Sequence, residues 1–297
     1  MPEDAMMESH LDIASETVAV DNRGDDRDPL DGTMVIKLGY RGGGFVGLAE
    51  QPLQRTVAGE LRRALETILR RPVSMDVAGR TDSGVHALGQ YVSVPVTDEE
   101  LTRARRSLVP GLVALTPDDI AIRGLYRAQK GFSARFDALE RHYCYRIACG
   151  CSRPVMAWDH SWWLRTAPEL DVMTMDAAAL ALVGEHDFRS FCKASSAQLL
   201  EADGRSTSRF LRGVTVREQE EAGESLILVD VWGNAFLHNM VRIIVGSLVE
   251  VGRGNRPLSW MQDALEARDR RAAGPTAPPE GLTFVDVSYP EGSLAEW

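Results

Sequence analysis

The chain has 297 residues, a formal net charge of −10, and 44% hydrophobic against 26% charged residues, proportions typical of a globular protein. No apolar run reaches the length of a membrane span. The N-terminus lacks the basic flank and apolar core of a signal peptide, and its acidity argues against an organelle transit peptide. We therefore expect a globular cytoplasmic protein.

The acidity is concentrated at the N-terminus. Residues 1–31 contain ten acidic and two basic side chains, so the rest of the chain is nearly neutral. This segment has little apolar periodicity, which predicts a disordered tail. The charge of the body is therefore compatible with a polyanionic partner, provided that its arginines cluster.

Deleting residues 1–31 is expected to leave the fold and the activity of the remaining chain intact, because a segment without apolar periodicity has no core to join. Binding of a polyanion should become tighter, since repulsion by the tail is lost. Melting temperature, turnover and binding of the truncated protein measure these effects. A large fall in melting temperature or turnover would show that the tail is structural.

Apolar periodicity predicts the elements of both halves of the body. In the first half it predicts a strand at 33–40, a helix at 56–70 capped by Thr56, a strand at 90–94, a short helix at 101–108 and a basic segment at 124–136. In the second half it predicts a strand at 141–148, a tryptophan-rich loop, a helix near 175–183, a loop at 184–191, strands at 213–217 and 226–232, a helix at 236–251 and a strand at 282–288. This mixed order favours an α+β architecture over a regular βαβ series.

The loop after the first strand contains Gly42, Gly44 and Gly47, which match the dinucleotide-binding spacing G-x-G-x-x-G. That mechanism needs a helix that begins directly on the loop, whereas the next predicted helix begins at about Thr56. A nicotinamide-dependent oxidoreductase is therefore disfavoured and stays a third hypothesis.

Three of the four cysteines lie close together in sequence, at Cys144, Cys149 and Cys151, beside His142. Their spacing matches no zinc-binding pattern, and Cys144 falls in an alternating, strand-like run. Reduced core thiols, typical of a cytosolic protein, are the favoured interpretation, and no metal site is predicted.

A turn rich in polar side chains precedes the strand at 90–94, in the stretch AGRTDSGVHALGQYVSV from Ala78 to Val94. Asp82 stands in its middle, bounded by glycines. The carboxylate of such an aspartate commonly accepts hydrogen bonds from neighbouring backbone N–H groups. It could instead be presented for chemistry, and the turn by itself leaves both interpretations open.

Arg242 belongs to a predicted helix that is apolar on nearly every side, which indicates burial. A buried guanidinium keeps its proton and needs a carboxylate partner. His238, four residues earlier, is expected on the same helix face. Such an ion pair is as often structural as functional, so the identity of the acid decides its meaning.

Tyr143 and Tyr145 alternate in a predicted strand and therefore face the same side of the sheet. Buried aromatics of this kind usually belong to the core. In a cleft surrounded by arginines, the same rings would instead form a stacking platform for a nucleobase.

Four segments, taken together and in order, resemble the TruA family of tRNA pseudouridine synthases. They are GRTDSGVHALGQ at 79–90, SARFDALERHYCYRI at 133–147, GEHDFRSF at 184–191 and NAFLHNMVRIIVGSLVEVG at 234–252. The resemblance extends over about residues 33–290. It implies two related α+β halves, at 32–138 and 139–297, that form one extended, mostly antiparallel sheet flanked by helices, with a central active-site cleft. It also implies a homodimer.

The chain departs from the family pattern at two positions of the first loop. Arg41 stands where an aspartate is usual, and Leu48 stands where an aromatic residue is common. Both departures bear on how that loop positions the substrate.

The resemblance implies isomerisation of uridine to pseudouridine on the 3′ side of the anticodon stem-loop of tRNA, without metal or organic cofactor. Asp82 would be the catalytic aspartate, as nucleophile or base at the sugar, with Arg242 as its counter-charge. Tyr143 would stack on the base and assist proton transfer, and Arg80 would fill the gap left by the flipped base. A non-catalytic RNA-binding relative is the alternative.

Further residues are implied as substrate contacts. Those in the motifs are Thr81, His86, Gln90, Arg141, His238 and Asn239. Basic segments around Arg62, Arg105, Arg127 and Arg135 would hold tRNA phosphates.

Overall fold

The computed structural model describes residues 30–104, 107–165 and 170–296, without the side chains of Arg103 and Ala104. The predicted acidic tail lies almost wholly outside these residues, as does Arg105. Among the described helices, none is both long and apolar enough to cross a bilayer.

The strands of the described part join in one 11-stranded sheet. They are β1 (Gly32–Tyr40), β2 (Asp76–Val77), β3 (His86–Val96), β4 (Ile120–Gln129), β5 (Glu140–Cys149), β6 (Trp162–Leu164), β7 (Gly184–Asp187), β8 (Ser208–Glu221), β9 (Glu224–Gly233), β10 (Leu282–Ser288) and β11 (Ala295–Glu296). The helices are α1 (Val57–Leu69), α2 (Asp98–Ala104), α3 (Leu108–Leu115), α4 (Val172–Ala179), α5 (Ala194–Ala202), α6 (Met240–Gly252) and α7 (Trp260–Ala267).

The sheet runs in the order β11-β4-β1-β3-β10-β5-β9-β8-β7, with β2 beside β3 and β6 beside β5. The pairs β3–β10 and β5–β6 are parallel, and the other pairs are antiparallel. In the parallel central pair, Thr283 lies opposite His86 and Phe284 opposite Ala87. β10, which comes late in the chain, thus lies between β3 and β5 and joins them in one sheet. The predicted α+β fold with a mostly antiparallel sheet is confirmed.

Several predicted elements fold as their local chemistry requires. The side chain of Thr56 accepts a hydrogen bond from the backbone N–H of Gly59 at 3.2 Å and caps α1 as predicted. Apolar residues spaced along one face of α1 are buried in the core: Val57, Leu61 and Leu65. The strands predicted at 33–40, 141–148 and 282–288 are confirmed as β1, β5 and β10.

Other predictions were wrong in extent or kind. The helix predicted at 101–108 is α2, which begins at Asp98, and a separate helix α3 follows. The predicted loop at 184–191 contains β7, the first part of the basic segment, residues 124–129, belongs to β4, and the tryptophan-rich loop contains β6. The helix near 175–183 begins three residues earlier, as α4.

The helix predicted at 236–251 begins only at Met240, as α6. Asn239 takes a left-handed backbone conformation with a φ of 63°, which breaks the helical path just before α6. A turn closed by the hydrogen bond from Met240 N–H to the Leu237 carbonyl, 3.0 Å long, precedes it. His238 therefore lies in this turn and not on the helix face that carries Arg242.

Candidate active site

Asp82 lies in the turn between β2 and β3, next to the parallel pair at the centre of the sheet. The turn is closed by a hydrogen bond of 3.2 Å from Val85 N–H to the Asp82 carbonyl. The Asp82 side chain is 38% exposed. Among the described residues its carboxylate accepts no backbone hydrogen bond, so the capping interpretation of this aspartate is not supported. The carboxylate instead faces two side chains from the turn before α6 and from α6 itself.

The first of these side chains is Arg242, whose Nη1 lies 3.5 Å from Asp82 Oδ2. Its guanidinium is held in place by two further hydrogen bonds, from Nε to the carbonyl of Ala277 at 2.7 Å and from Nη1 to Asn239 Oδ1 at 3.0 Å. Arg242 is only 16% exposed. The expected buried arginine thus meets a carboxylate, and that carboxylate is Asp82.

The second side chain is His238, which approaches the other carboxylate oxygen. Its Nε2 lies 3.5 Å from Asp82 Oδ1, and its Nδ1 is 2.9 Å from the hydroxyl of Ser196 on α5. The backbone carbonyl of His238 accepts a hydrogen bond from Lys193 N–H at 3.1 Å. Asp82 is therefore placed between an arginine and a histidine that are each held by further hydrogen bonds.

Tyr143 lies on β5 within the same region and is 7% exposed. Its ring packs edge-on against Phe236 and Phe284, with centroids 4.9 Å apart in both cases. Burial raises the pKa of the Tyr143 hydroxyl well above its ordinary value, and the nearby charge of Asp82 raises it further. The hydroxyl therefore stays protonated at neutral pH, where it can donate a proton or a hydrogen bond.

Two predicted contact residues hold the Asp82 turn from inside. Thr81 is buried, and its hydroxyl lies 2.7 Å from that of Tyr40 on β1. Gln90 is fully buried, donates from Nε2 to the Gly79 carbonyl at 2.7 Å and accepts from Gly79 N–H at 3.3 Å. Both side chains therefore brace the turn, whereas Arg80 is exposed and free to reach outward.

Arg141 braces the same turn from the other side. Its Nε donates to the Ala78 carbonyl at 3.0 Å, Nη1 to the Asn234 carbonyl at 2.5 Å and Nη2 to the Arg135 carbonyl at 2.7 Å. Burial lowers the pKa of this guanidinium below its ordinary value. Arg141 therefore links three backbone segments and orders the start of the Asp82 turn.

The family model and the sequence relatives that match this chain carry the same description. A family model described as tRNA pseudouridine synthase matches residues 178–290. A tRNA pseudouridine synthase A of Ralstonia nicotianae is 40% identical over 87% of this chain and 90% of its own. Those of Frankia casuarinae and Chloroflexus aurantiacus are 42% and 40% identical, over 86% and 89% of this chain and 88% and 91% of their own.

The chain belongs to the tRNA pseudouridine synthase A family. Because so little of the chain is left out of these matches, they include Asp82, Tyr143 and Arg242. The family assignment therefore applies to the part of the molecule that builds the site.

The glycine-rich loop of this synthase-family chain packs directly on the Asp82 turn. A Cβ atom on Gly42 would lie 2.1 Å from the Val85 carbonyl oxygen, so only glycine fits there. Gly42 N–H donates to His86 Nδ1 at 3.2 Å, and Leu48 N–H donates to the Thr81 carbonyl at 3.1 Å. The dinucleotide-like spacing thus reflects close packing against the turn.

His86 is buried beside this loop, and burial lowers the pKa of its imidazole below the ordinary value. Since Nδ1 accepts the Gly42 hydrogen bond, Nε2 carries the ring proton. Within the described part of the chain, that buried Nε2 has no hydrogen-bond partner. A neutral His86 is therefore placed to support the glycine-rich loop.

The two departures from the synthase pattern have structural roles of their own. Arg41 forms an ion pair with Asp159, whose other carboxylate oxygen lies 3.0 Å from His160 Nδ1. Leu48 is 1% exposed and packs in the core. The arginine thus connects the first loop to the loop before β6, and the leucine fills a core position.

The arginines predicted to hold phosphates differ in their surroundings. Arg62 and Arg127 each pair with a carboxylate at 2.7 Å. Arg135 has no acidic partner among the described residues, and Arg105 lies outside them. Among Arg62, Arg127 and Arg135, Arg135 is therefore the most available for contact with a phosphate.

The cysteines differ in their exposure. Cys144 and Cys192 are buried, and Cys151 is exposed. Burial raises the pKa of the Cys144 thiol to about 12, which disfavours the thiolate form that metals bind. His142 instead lies 2.8 Å from Asp230 and stacks on Trp232.

Proposed function

We propose that this protein is an isomerase that converts uridine to pseudouridine in tRNA, at a site built around Asp82. Relatives named tRNA pseudouridine synthase A, about 40% identical over most of both chains, support the reaction and the substrate. The observation that carries the residue assignment is the partly exposed Asp82 carboxylate, which is held between Arg242 and His238 and accepts no hydrogen bond from a backbone N–H of the described residues.

The reaction breaks the bond between C1′ of the ribose and N1 of uracil and forms a bond between C1′ and C5. C5 loses its proton and N1 gains one, so no electrons are gained or lost and no cofactor is needed for the balance. Asp82 acts at the sugar, as nucleophile or as base, and either role requires the ionised carboxylate. Arg242 supplies the positive charge that favours it.

The target base has to leave its stack to reach Asp82, at a cost of about a few kcal/mol. Arg80, exposed and two residues from Asp82, fills the space left by the flipped base. Tyr143 lies under the base and donates from its neutral hydroxyl during the transfer of protons. Arg242, His238 and Asn239 fix the carboxylate, while Thr81, Gln90, His86 and Arg141 keep the turn in place.

The finer features of the proposal follow from the family resemblance. The modified uridines lie on the 3′ side of the anticodon stem-loop, and the enzyme acts in the cytoplasm as a homodimer of two-halved chains divided near residue 139. Exposed arginines such as Arg135, which has no acidic partner among the described residues, hold tRNA phosphates.

The direct test supplies the purified protein with unmodified tRNA labelled with tritium at C5 of uridine. Tritium released to water, together with chemical mapping of pseudouridine in the product, measures both the reaction and its position. Release without pseudouridine in the anticodon stem-loop would overturn the assigned position, and no release from any tRNA would overturn the activity.

Tyr143→Phe is expected to lower the single-turnover rate by roughly 100-fold, the usual worth of a proton-transfer group, while tRNA affinity changes little. Phenylalanine keeps the ring contacts with Phe236 and Phe284 and removes only the hydroxyl. Because the hydroxyl pKa is raised, the loss should be the same at neutral and mildly alkaline pH.

The control for this variant is Tyr145→Phe. The Tyr145 hydroxyl donates to the Pro278 carbonyl at 2.8 Å and has no direct contact with Asp82. This variant should lose some stability and keep its turnover. An unchanged single-turnover rate in Tyr143→Phe would reduce Tyr143 to a stacking surface.

A further inference from the structure

The turn at 133–137, which follows β4, presents an exposed aromatic ring. Phe136 is 74% exposed, although aromatic side chains usually bury most of their surface. An exposed ring on an ordered turn is a recognised feature of binding surfaces. Phe136 lies in one of the segments that mark the family, and no role for it follows from the mechanism above.

The turn that carries Phe136 is held rigidly. Ser133 Oγ accepts hydrogen bonds from the N–H groups of Arg135 and Phe136, both at 3.3 Å, and donates to Asp76 Oδ2 at 2.7 Å. Asp137 Oδ2 accepts from Ser133 N–H at 2.7 Å. The exposure of Phe136 is therefore imposed by a network of hydrogen bonds, and the ring is presented without a further cost of ordering.

Hydrogen bonds connect this turn to the Asp82 turn. Arg141 donates to the carbonyl of Arg135 at 2.7 Å and to that of Ala78 at 3.0 Å. Ala78 is four residues from Asp82 and two from the exposed Arg80. The backbone next to Phe136 and the start of the Asp82 turn are thus held by the same guanidinium.

An arginine lies on the ring, and the nearby carboxylates of Asp76 and Asp137 are engaged in hydrogen bonds with Ser133. The guanidinium of Arg135 lies over the Phe136 ring, with Cζ 5.0 Å from the centroid, and has no acidic partner among the described residues. Arg141 adds a second positive charge beside it. An aromatic face with adjacent arginines is the combination that binds single-stranded nucleic acid, because every base has a face to stack and a phosphate beside it.

We propose that Phe136 and Arg135 form a stacking platform for an unpaired nucleobase of tRNA next to the flipped uridine. The inference rests on the proposed function and names an RNA contact outside the catalytic residues. Phe136 supplies the stacking surface, and Arg135 supplies the charge for the neighbouring phosphate.

The test compares Phe136→Ala with Phe136→Trp in the full-length protein. The alanine variant is expected to bind unmodified tRNA roughly tenfold to hundredfold more weakly, the usual loss of one base–aromatic stack. The tryptophan variant should stay within about twofold of wild type, since it keeps a stacking face. Met173→Ala, which shortens an apolar side chain that is 85% exposed on α4, is the matched control and should bind like wild type.

The salt dependence of binding separates the two residues of the platform. Phe136→Ala should leave the slope of log affinity against log salt unchanged, because stacking releases no counterion. Arg135→Ala should reduce the magnitude of this slope by about 1, as expected for the loss of one phosphate contact. In an abasic scan, the base of each nucleotide of the stem-loop is removed in turn and the affinity is measured. Removal of one particular base should weaken binding to wild type but not to Phe136→Ala.

Four outcomes would overturn the platform. In the first, Phe136→Ala binds tRNA like wild type while wild type forms pseudouridine. This result would disprove the stacking contact and leave the proposed function intact. Loss of affinity that accompanies a change of oligomeric state, seen by sedimentation, would assign the patch to a second copy of the chain. Loss of the Phe136→Ala effect on deleting residues 1–29 would assign it to the acidic tail. A wild-type protein inactive on tRNA would overturn the proposed function and the platform together.

Discussion

Asp82→Asn is expected to fold, to bind tRNA and to form no pseudouridine above background. Asparagine is nearly the same size and keeps the backbone hydrogen bond that closes the turn, but it can serve neither as nucleophile nor as base. Circular dichroism and filter binding measure folding and affinity. Nucleoside analysis after long incubation with excess enzyme measures the product.

The matched control for this change is Asp203→Asn. It neutralises a surface carboxylate that is 57% exposed and, within the described part of the chain, pairs only with Arg205, at 2.8 Å. Exposed pairs of this kind contribute about 0–1 kcal/mol, so this variant should resemble wild type in stability and activity. If the two asparagine variants are equally active, Asp82 is an ordinary turn residue without a catalytic role.

Arg242→Met is expected to lower turnover by roughly tenfold to hundredfold, because it removes the positive charge that faces the partly exposed Asp82 carboxylate. It should also destabilise the fold. The carbonyl of Ala277 and Oδ1 of Asn239 lose their donor; since both hydrogen bonds are only partly buried, each loss should cost less than the roughly 1–3 kcal/mol of a fully buried acceptor. Denaturant unfolding and single-turnover kinetics separate the two effects.

Arg242→Lys distinguishes charge from geometry. Lysine keeps the positive charge but cannot donate in three fixed directions, so it should recover part of the turnover and little of the stability. In an Asp82→Asn background, Arg242→Met should change stability without a further effect on chemistry. A stable, fully active Arg242→Met variant would contradict the pairing with Asp82.

The fold could be predicted from sequence where the pattern is local. β1 is buried along almost its whole length, β5 and β10 each contain a run of three buried residues, and α1 has both a cap and an apolar face. β4 alternates exposed and partly buried positions and contains two arginines, so its strand pattern was hidden by its charge. The parallel pairing of β3 with β10 joins segments far apart in the chain, and no local pattern encodes it.

The start of α6 shows how a local pattern misleads. The apolar sequence from Phe236 onward continues into the helix, so periodicity extends it too far. The left-handed Asn239 interrupts the backbone and turns His238 toward Asp82. The sequence indicates a residue type tolerant of that conformation but not that the conformation is adopted.

One part of the candidate site, the carboxylate partner of Arg242, was expected for a physical reason. A buried arginine needs an acid, and the family resemblance implied that this acid is Asp82. By contrast, Gln90 and Arg141 are polar residues in the same motifs, and sequence cannot show whether such groups face a substrate or a backbone carbonyl. The structure assigns both to backbone carbonyls. Phe136 was missed, although an aromatic residue between a basic and an acidic neighbour is a readable signal of exposure.

The most direct test of the central claim is tritium release under single-turnover conditions, with wild type and Asp82→Asn in parallel at enzyme concentrations that saturate the tRNA. Wild type should release one tritium for each uridine converted, at a rate independent of enzyme concentration. The asparagine variant, equally saturated and folded, should release none. Release by the asparagine variant at the wild-type rate would contradict the assignment of the chemistry to Asp82.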